Sequence, residues 1–282
     1  MTFDRGARGG AAPWWAWASG APAPWHRAAL RAAQGLMDDG RFEEAEARAR
    51  ELVAERRQRR GRDRRPATVW LATFYATTAA IAHGRRPEVL AELEALIEDM
   101  APLYRQNRDL LLSARLHRAW VLIDLGRSPE AEAEARDVLR SLARTRHLAE
   151  AWEVELWAAL CLGDALCAQH RYEEAAAIAR GNLPRAGRRS ERGLRILLAR
   201  SLSGLGRHEE ALAEARRTAP EHSPGTSGER ELVTAVALHG LGRPREAEEE
   251  LRRALTACER YLHASHPLLG EIHSLGERIR SA

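Results

Sequence analysis

Small and apolar residues recur along this chain at fixed offsets from a short repeated phrase. The phrase reads "DDGRFEEAEARARE" at 38–51, "DLGRSPEAEAEARD" at 124–137, "GLGRHEEALAEARR" at 204–217 and "GLGRPREAEEELRR" at 240–253. Aligning all copies on the residue before the arginine gives the landmarks Gly40, Gly84, Gly126, His170, Gly206 and Gly242. Their spacings of 44, 42, 44, 36 and 36 residues are typical of a helical repeat array.

Two columns of small residues accompany the landmarks. Seven residues before them stand Ala33, Thr77, Ala119, Gly163, Ala199 and Ala235, and five residues after them stand Ala45, Val89, Ala131, Ala175, Ala211 and Ala247. Small side chains let two helices approach closely, while leucines four residues before most landmarks fill the seam. A glycine suits the left-handed residue that ends a helix. Each phrase therefore predicts the turn of a helical hairpin.

These columns resemble the tetratricopeptide repeat family, whose small–small pattern around a glycine turn is seen in "GDALCAQHRYEEA" (163–175) and "DDGRFEEA" (38–45). The usual aromatic four residues after the alanine is absent, and most copies lack the closing proline. The resemblance implies an all-α, right-handed superhelical solenoid of about six hairpins plus a C-terminal capping helix. We expect an N-terminal Gly/Ala/Pro/Trp-rich segment at 1–25, the array at 26–265 and the capping helix at 266–282.

Composition agrees with helix and gives no sign of catalysis. Ala, Leu, Glu and Arg dominate the 282 residues, and strand-like alternation is absent. No nucleophile, phosphate-binding or dinucleotide motif occurs, so we expect no enzyme and no cofactor. Cys258, His263, His266 and His273 are candidate metal ligands, but His266 is predicted to lie in an ordinary turn between two helices, so we do not expect a metal site. Three cysteines without paired spacing and the absence of a long apolar run favour a cytoplasmic protein.

The resemblance also implies a concave groove, lined by the first helices, that binds a protein or peptide segment. Helical spacing places the following residues toward it: Leu71, Phe74, Thr78, Leu116, Trp120, Ile123, Asp124, Trp157, Leu160, Asp164, Ile196 and Arg200. The groove is thus expected to be aromatic in its middle. Family members that clamp a C-terminal carboxylate use lysine and asparagine. This chain contains no lysine and has Gln34, Thr78, Trp120 and Asp164 at the equivalent positions, so such a clamp is not expected.

An arginine run suggests an alternative function. "RRQRRGRDRRP" (56–66) contains Arg56, Arg57, Arg59, Arg60, Arg62, Arg64 and Arg65 and carries about +6, against +4 for the whole chain. Read as a basic loop between the first two hairpins, it is either a solvated connector or a contact for nucleic acid or an anionic membrane. No aromatic residue interleaves it, which disfavours single-strand stacking. A third interpretation is that the protein is a ligand-sensing regulatory component. The absence of a helix-turn-helix before the repeats disfavours it.

Half of the eight tryptophans stand before the repeats: Trp14, Trp15, Trp17 and Trp25. Because tryptophan carries a large apolar area, and because a solenoid needs its terminal face covered, we expect this segment to dock on the array. Packing near Leu30 is the favoured placement. Insertion into the groove as a self-ligand, or a tail awaiting a partner, are the alternatives.

Overall fold

The structure, a computed structural model, describes residues 24–58, 66–84, 86–144, 151–218, 224 and 227–281. Within these residues the chain forms thirteen α-helices and no strand. They are α1 (Pro24–Asp38), α2 (Phe42–Gln58), α3 (Pro66–His83), α4 (Arg86–Met100), α5 (Tyr104–Asp124), α6 (Ser128–Ala143), α7 (Ala151–Ala168), α8 (Tyr172–Asn182), α9 (Arg188–Gly204), α10 (His208–Arg217), α11 (Glu229–Gly240), α12 (Pro244–Glu259) and α13 (Pro267–Ser281).

Successive helices pack in pairs as a solenoid, from α1–α2 to α11–α12, and α13 packs against α12 and α11. The first helices of neighbouring hairpins, α1, α3, α5, α7, α9 and α11, also pack against one another. Among the described residues the second helices make at most marginal contact with each other. The array therefore curves toward its first helices, and we call the surface that they form the groove face.

The hairpin turns explain the repeated phrase. Gly40, Gly84, Gly126, Gly206 and Gly242 have φ between +69° and +103°, and His170 takes the same conformation with φ of 59°. This left-handed residue lets the next N–H bond a carbonyl five residues back, as from Arg127 to Leu122 at 2.8 Å. The same bond recurs at Arg41, Arg171, Arg207 and Arg243. The predicted role of the landmark is confirmed.

The arginine and glutamate of the phrase form a second recurring device. At the start of α6, α10 and α12, the arginine is the N-terminal capping residue, and its side chain makes no hydrogen bond to the backbone there. Its guanidinium instead donates two hydrogen bonds to the glutamate three residues later, as Arg207 does to Glu210 at 2.6 and 2.7 Å. That glutamate lies in the first helical turn, where a negative charge complements the helix dipole.

Both columns of small residues lie in the interior, as predicted. Ala119, Ala199 and Ala235 on the first helices and Ala131, Ala175 and Ala211 on the second helices are fully buried. Leucines beside them, among them Leu122, Leu166 and Leu202, are at most 3% exposed. An apolar cluster runs through α5 to α13, and a second one holds the first two hairpins together with α5.

The structure corrects the boundaries of the predicted basic loop. Helix α2 continues to Gln58, so Arg56 and Arg57 are helical. Arg56 is only 2% exposed, whereas Arg57 faces solvent. The other arginines of the run lie outside the described residues. So does most of the N-terminal segment predicted at 1–25, and with it the predicted docking, whereas its last two residues are the start of α1.

Candidate functional site

Equivalent positions on successive first helices form a ladder across the groove face. The position six residues before each landmark from Gly84 onward is occupied by Thr78, Trp120, Asp164, Arg200 and Val236 on α3, α5, α7, α9 and α11. The three middle members are connected to one another. The Trp120 indole N–H donates to Asp164 Oδ2 at 3.3 Å, and Arg200 Nη1 lies 3.5 Å from Asp164 Oδ1. The repeat thus aligns an aromatic, an acidic and a basic side chain in one row.

An aromatic cluster lies at the Trp120 end of this ladder. The Trp120 and Trp157 rings meet edge to face with centroids 6.0 Å apart, a favourable aromatic geometry. His117, one turn before Trp120, stacks on Phe74 at 4.7 Å with an interplanar angle of 9°. Both tryptophans are partly exposed, whereas Phe74 is buried. Phe74 therefore supports the cluster from below, and the tryptophans form its accessible surface.

His117 is held neutral in this cluster. Burial lowers the pKa of its imidazole from 6.5 to about 4, because the surrounding rings solvate a charge poorly. Its Nδ1 lies 3.3 Å from the Thr78 hydroxyl. His117 was not among the residues predicted from the sequence, although it stands three residues before Trp120 and so shares its face.

The other end of the ladder is polar. Burial raises the pKa of Asp164, against the opposing effect of Arg200 and of the Trp120 hydrogen bond. Burial raises the pKa of Glu229, at the start of α11, to about 7, with Arg200 and Arg192 opposing and Asp164 and Glu271 adding to the shift. Burial lowers the pKa of Arg200, but the neighbouring carboxylates outweigh it and raise the value. One arginine therefore faces carboxyls from α7, α11 and α13.

Several predicted groove residues lie elsewhere. Leu71, Phe74 and Leu116 are at most 3% exposed and belong to the two apolar clusters, so their prediction as groove-lining residues was wrong. Ile196 is also buried. Ile123 and Leu160 are partly exposed, and Asp124 is exposed. The structure brings Trp120, Trp157, Asp164 and Arg200 together on the groove face, whereas Leu71 and Leu116 lie in the interior.

The cysteine and histidine residues of the C-terminal region do not form a cluster. Cys258 is buried, and its Sγ donates to the Ser227 carbonyl at 3.2 Å. His266 is buried and accepts the Leu268 N–H at 3.2 Å, whereas His263 and His273 are exposed. In the part of the chain that the structure describes, no group of three or more His, Cys, Asp or Glu side chains is placed to hold a metal ion.

Family comparison agrees with the turns and columns described above. Two tetratricopeptide repeat models match the chain, one at residues 112–137 and 193–217 and the other at 235–268. These stretches contain three of the landmark turns. The chain carries tetratricopeptide repeats. No curated protein sequence matches it, and none of the helices in the described ranges is long and apolar enough to cross a membrane.

The solved structures that align with this tetratricopeptide repeat protein have low sequence identity to it. Bacillus thuringiensis PlcR, in complex with the peptide PapR7 and DNA, is 13% identical over 92% of this chain and 75% of its own, with a TM-score of 0.45. A tetratricopeptide repeat protein from Parabacteroides merdae is 12% identical over 89% and 98%, with a TM-score of 0.46. The TPR2AB domain of yeast Sti1, in a pHSP90 complex, is 13% identical over 92% and 100%, with a TM-score of 0.37.

Proposed function

We propose that this protein is a non-catalytic adaptor or regulatory module that binds an extended or helical segment of another protein on its groove face. The observation that carries the proposal is the pair of partly exposed tryptophans, Trp120 and Trp157, on adjacent first helices. Aromatic side chains that are supported from below and accessible from above are typical anchors of binding energy.

The polar end of the ladder supplies the orientation that such a segment needs. Asp164 can accept a backbone N–H, and Arg200 can donate to a carbonyl one rung further along. Their mutual distance of 3.5 Å is that of a loose pair, so each retains hydrogen-bonding capacity. An apolar side chain would lie against the tryptophans while the adjacent backbone reaches Asp164 and Arg200.

Selection followed by nuclear magnetic resonance tests the proposal. A random peptide library displayed on phage is selected on the full chain, and the selected peptide is titrated into the ¹⁵N-labelled protein. We expect the indole N–H signals of Trp120 and Trp157 to shift most. They are assigned with Trp120→Phe and Trp157→Phe. The signal of Trp152, which is 41% exposed on the same helix as Trp157, is the internal control. Shifts confined to Trp152 would place binding elsewhere and refute the proposal.

A further inference from the structure

The two ends of the array touch each other. The turn between α12 and α13 lies against the first two hairpin turns, more than 175 residues earlier in the chain. The Tyr261 ring covers Gly40 so closely that a Cβ there would overlap it. Ser265 Oγ donates to the Gly84 carbonyl at 3.4 Å, and a Cβ on Gly84 would lie 3.1 Å from both Ser265 Oγ and the His266 nitrogen.

Further contacts surround this junction. The imidazoles of His83 and His263 lie 4.8 Å apart, and His83 Nε2 is 3.4 Å from Glu43. Phe42, the first residue of α2, is 5% exposed. It belongs to the apolar cluster of α5 to α13 instead of the cluster of its own hairpin. Three elements of the first two hairpins, the two turns and the start of α2, therefore meet the C-terminal part of the array.

The junction differs in kind from the contacts between hairpins. The hairpins are joined by continuous buried rows of alanine and leucine. The junction has one buried apolar residue on the N-terminal side, Phe42, and its other contacts are made largely by Tyr261, His263 and Ser265, which are partly or fully exposed. A region with few buried apolar contacts opens at a low cost in free energy, because the free energy of local opening rises with the number of buried apolar contacts. The junction is therefore expected to cost less free energy to separate than a contact between two hairpins.

We propose that this junction is a latch that closes the array on itself and controls which segments reach the groove face. When the two ends are joined, the array is a closed ring of helices, each in contact with the next, and the groove face lies on the inside of the ring. The interior is narrowed by α13, which packs against the first helix α11 as well as against α12. A segment with a free end can enter past a closed latch by threading. A segment inside a longer folded protein needs the latch to open.

Glycine variants test the latch with a matched control. Gly40 and Gly126 have nearly equal φ values, +77° and +74°, so alanine brings similar backbone strain at either position. A Cβ at Gly126 meets nothing within 4 Å, whereas one at Gly40 strikes Tyr261. By small-angle X-ray scattering we expect a larger radius of gyration for Gly40→Ala and an unchanged one for Gly126→Ala. Unchanged radii in both folded variants would overturn the latch.

An engineered disulfide between positions 84 and 265 tests the same contact and does not depend on whether Gly40→Ala folds. The position of the Gly84 Cβ relative to Ser265 lets Gly84→Cys/Ser265→Cys form an S–S bond of about 2.04 Å with little backbone movement. The native cysteines Cys161, Cys167 and Cys258 are buried. We expect the pair to oxidise within the monomer, and Gly126→Cys/Ser265→Cys not to do so. Equal oxidation of both pairs under the same conditions would contradict the contact.

The control of access rests on the proposed function and has its own measurement. The library-selected peptide is compared with the same peptide fused at both ends to a small folded domain. The oxidised Gly84→Cys/Ser265→Cys protein should bind the free peptide but lose at least about tenfold in affinity for the doubly fused one, with recovery on reduction. Equal affinities in both redox states would refute the access role. Failure to select any peptide would count against the proposed function and leave the scattering and oxidation results to decide the latch.

Discussion

The Trp120 indole N–H donates to the Asp164 carboxylate at 3.3 Å, across 44 residues and between adjacent first helices. These two residues occupy equivalent positions of consecutive repeats, so the repeat period itself brings an aromatic and an acidic side chain together. Asp164 in turn pairs with Arg200, the equivalent residue of the next repeat. The same position of three consecutive repeats thus holds an aromatic, an acidic and a basic side chain that contact one another.

A double-mutant cycle measures this relationship. Trp120→Phe removes the N–H and keeps a ring, and Asp164→Asn removes the charge. We expect a coupling free energy of about 1 kcal/mol between the two changes, because a hydrogen bond to a partly buried carboxylate contributes on that order. The measurement is urea unfolding of the four proteins. Trp70→Phe, in the separate apolar cluster of the first hairpins, should show no coupling with Asp164→Asn. Because asparagine keeps an acceptor oxygen, additive free energies for Trp120 would mean that the charge of Asp164 does not strengthen this hydrogen bond.

The register of the array is tested by enlarging a residue at a close helix contact. Ala119 is fully buried on α5, whereas Ala213 is exposed in the middle of α10. Ala119→Leu should lower the free energy of unfolding by about 1–3 kcal/mol, since added atoms in a packed seam force strain. Ala213→Leu should change it by less than about 0.5 kcal/mol. Equal thermal melting curves for the two variants would show that the columns are assigned wrongly.

One hairpin turn carries avoidable strain. His170 has φ of 59° at the position where the other described turns have glycine, and a side chain in that conformation costs about 1 kcal/mol. His170→Gly should therefore stabilise the protein, by somewhat less than that amount because the His170 contact with the Tyr172 hydroxyl at 2.7 Å is lost. Gly206→His, the reverse change, should destabilise it. Differential scanning calorimetry checks both, and melting temperatures that move in the same direction would contradict the argument.

The dependence of stability on pH contains two opposing contributions. The pKa of His117 is lowered from 6.5 to about 4, so between these values the unfolded chain binds the extra proton and stability falls as the pH falls. The pKa of Glu229 is raised from 4.5 to about 7, so the folded chain keeps its proton longer and stability falls as the pH rises. Each effect has a limiting slope of about 1.4 kcal/mol per pH unit.

Single variants separate these two slopes between pH 4.5 and 6.5. His117→Phe removes the His117 contribution, so stability should decrease with rising pH relative to the wild type. Glu229→Gln removes the Glu229 contribution, so stability should increase with rising pH relative to the wild type. Urea midpoints at four pH values give both profiles. If the two variants run parallel to the wild type, neither side chain is buried as described.

The sequence predicted the hairpins well because their determinants are local. Gly126, Arg127 and Glu130 form one turn within five residues, and Ala119 and Ala131 lie within one hairpin. The groove was predicted less well. Leu116 and Trp120 are both apolar residues on α5, and which one is covered depends on how α7 packs. His117 was missed because its stacking partner, Phe74, lies 43 residues away.

The end of α2 and the polar cluster show the same limit. The arginines after Glu55 suggest a loop by charge alone, yet Arg56 is buried in helix because the hairpin continues past it. The raised pKa of Glu229 depends on burial together with groups from α7, α9 and α13. These groups come together only because the whole array curves, and the curvature cannot be predicted from any short stretch of the sequence.

The most direct test of the account compares the affinity of the selected peptide for two alanine variants by isothermal titration calorimetry. Trp120 is partly exposed on the groove face, and Trp152 is 41% exposed at the start of α7. We expect Trp120→Ala to weaken binding at least about tenfold, as for an anchor residue, and Trp152→Ala to leave it unchanged within about twofold. Unchanged binding to Trp120→Ala, or an equal loss with Trp152→Ala, would contradict the account.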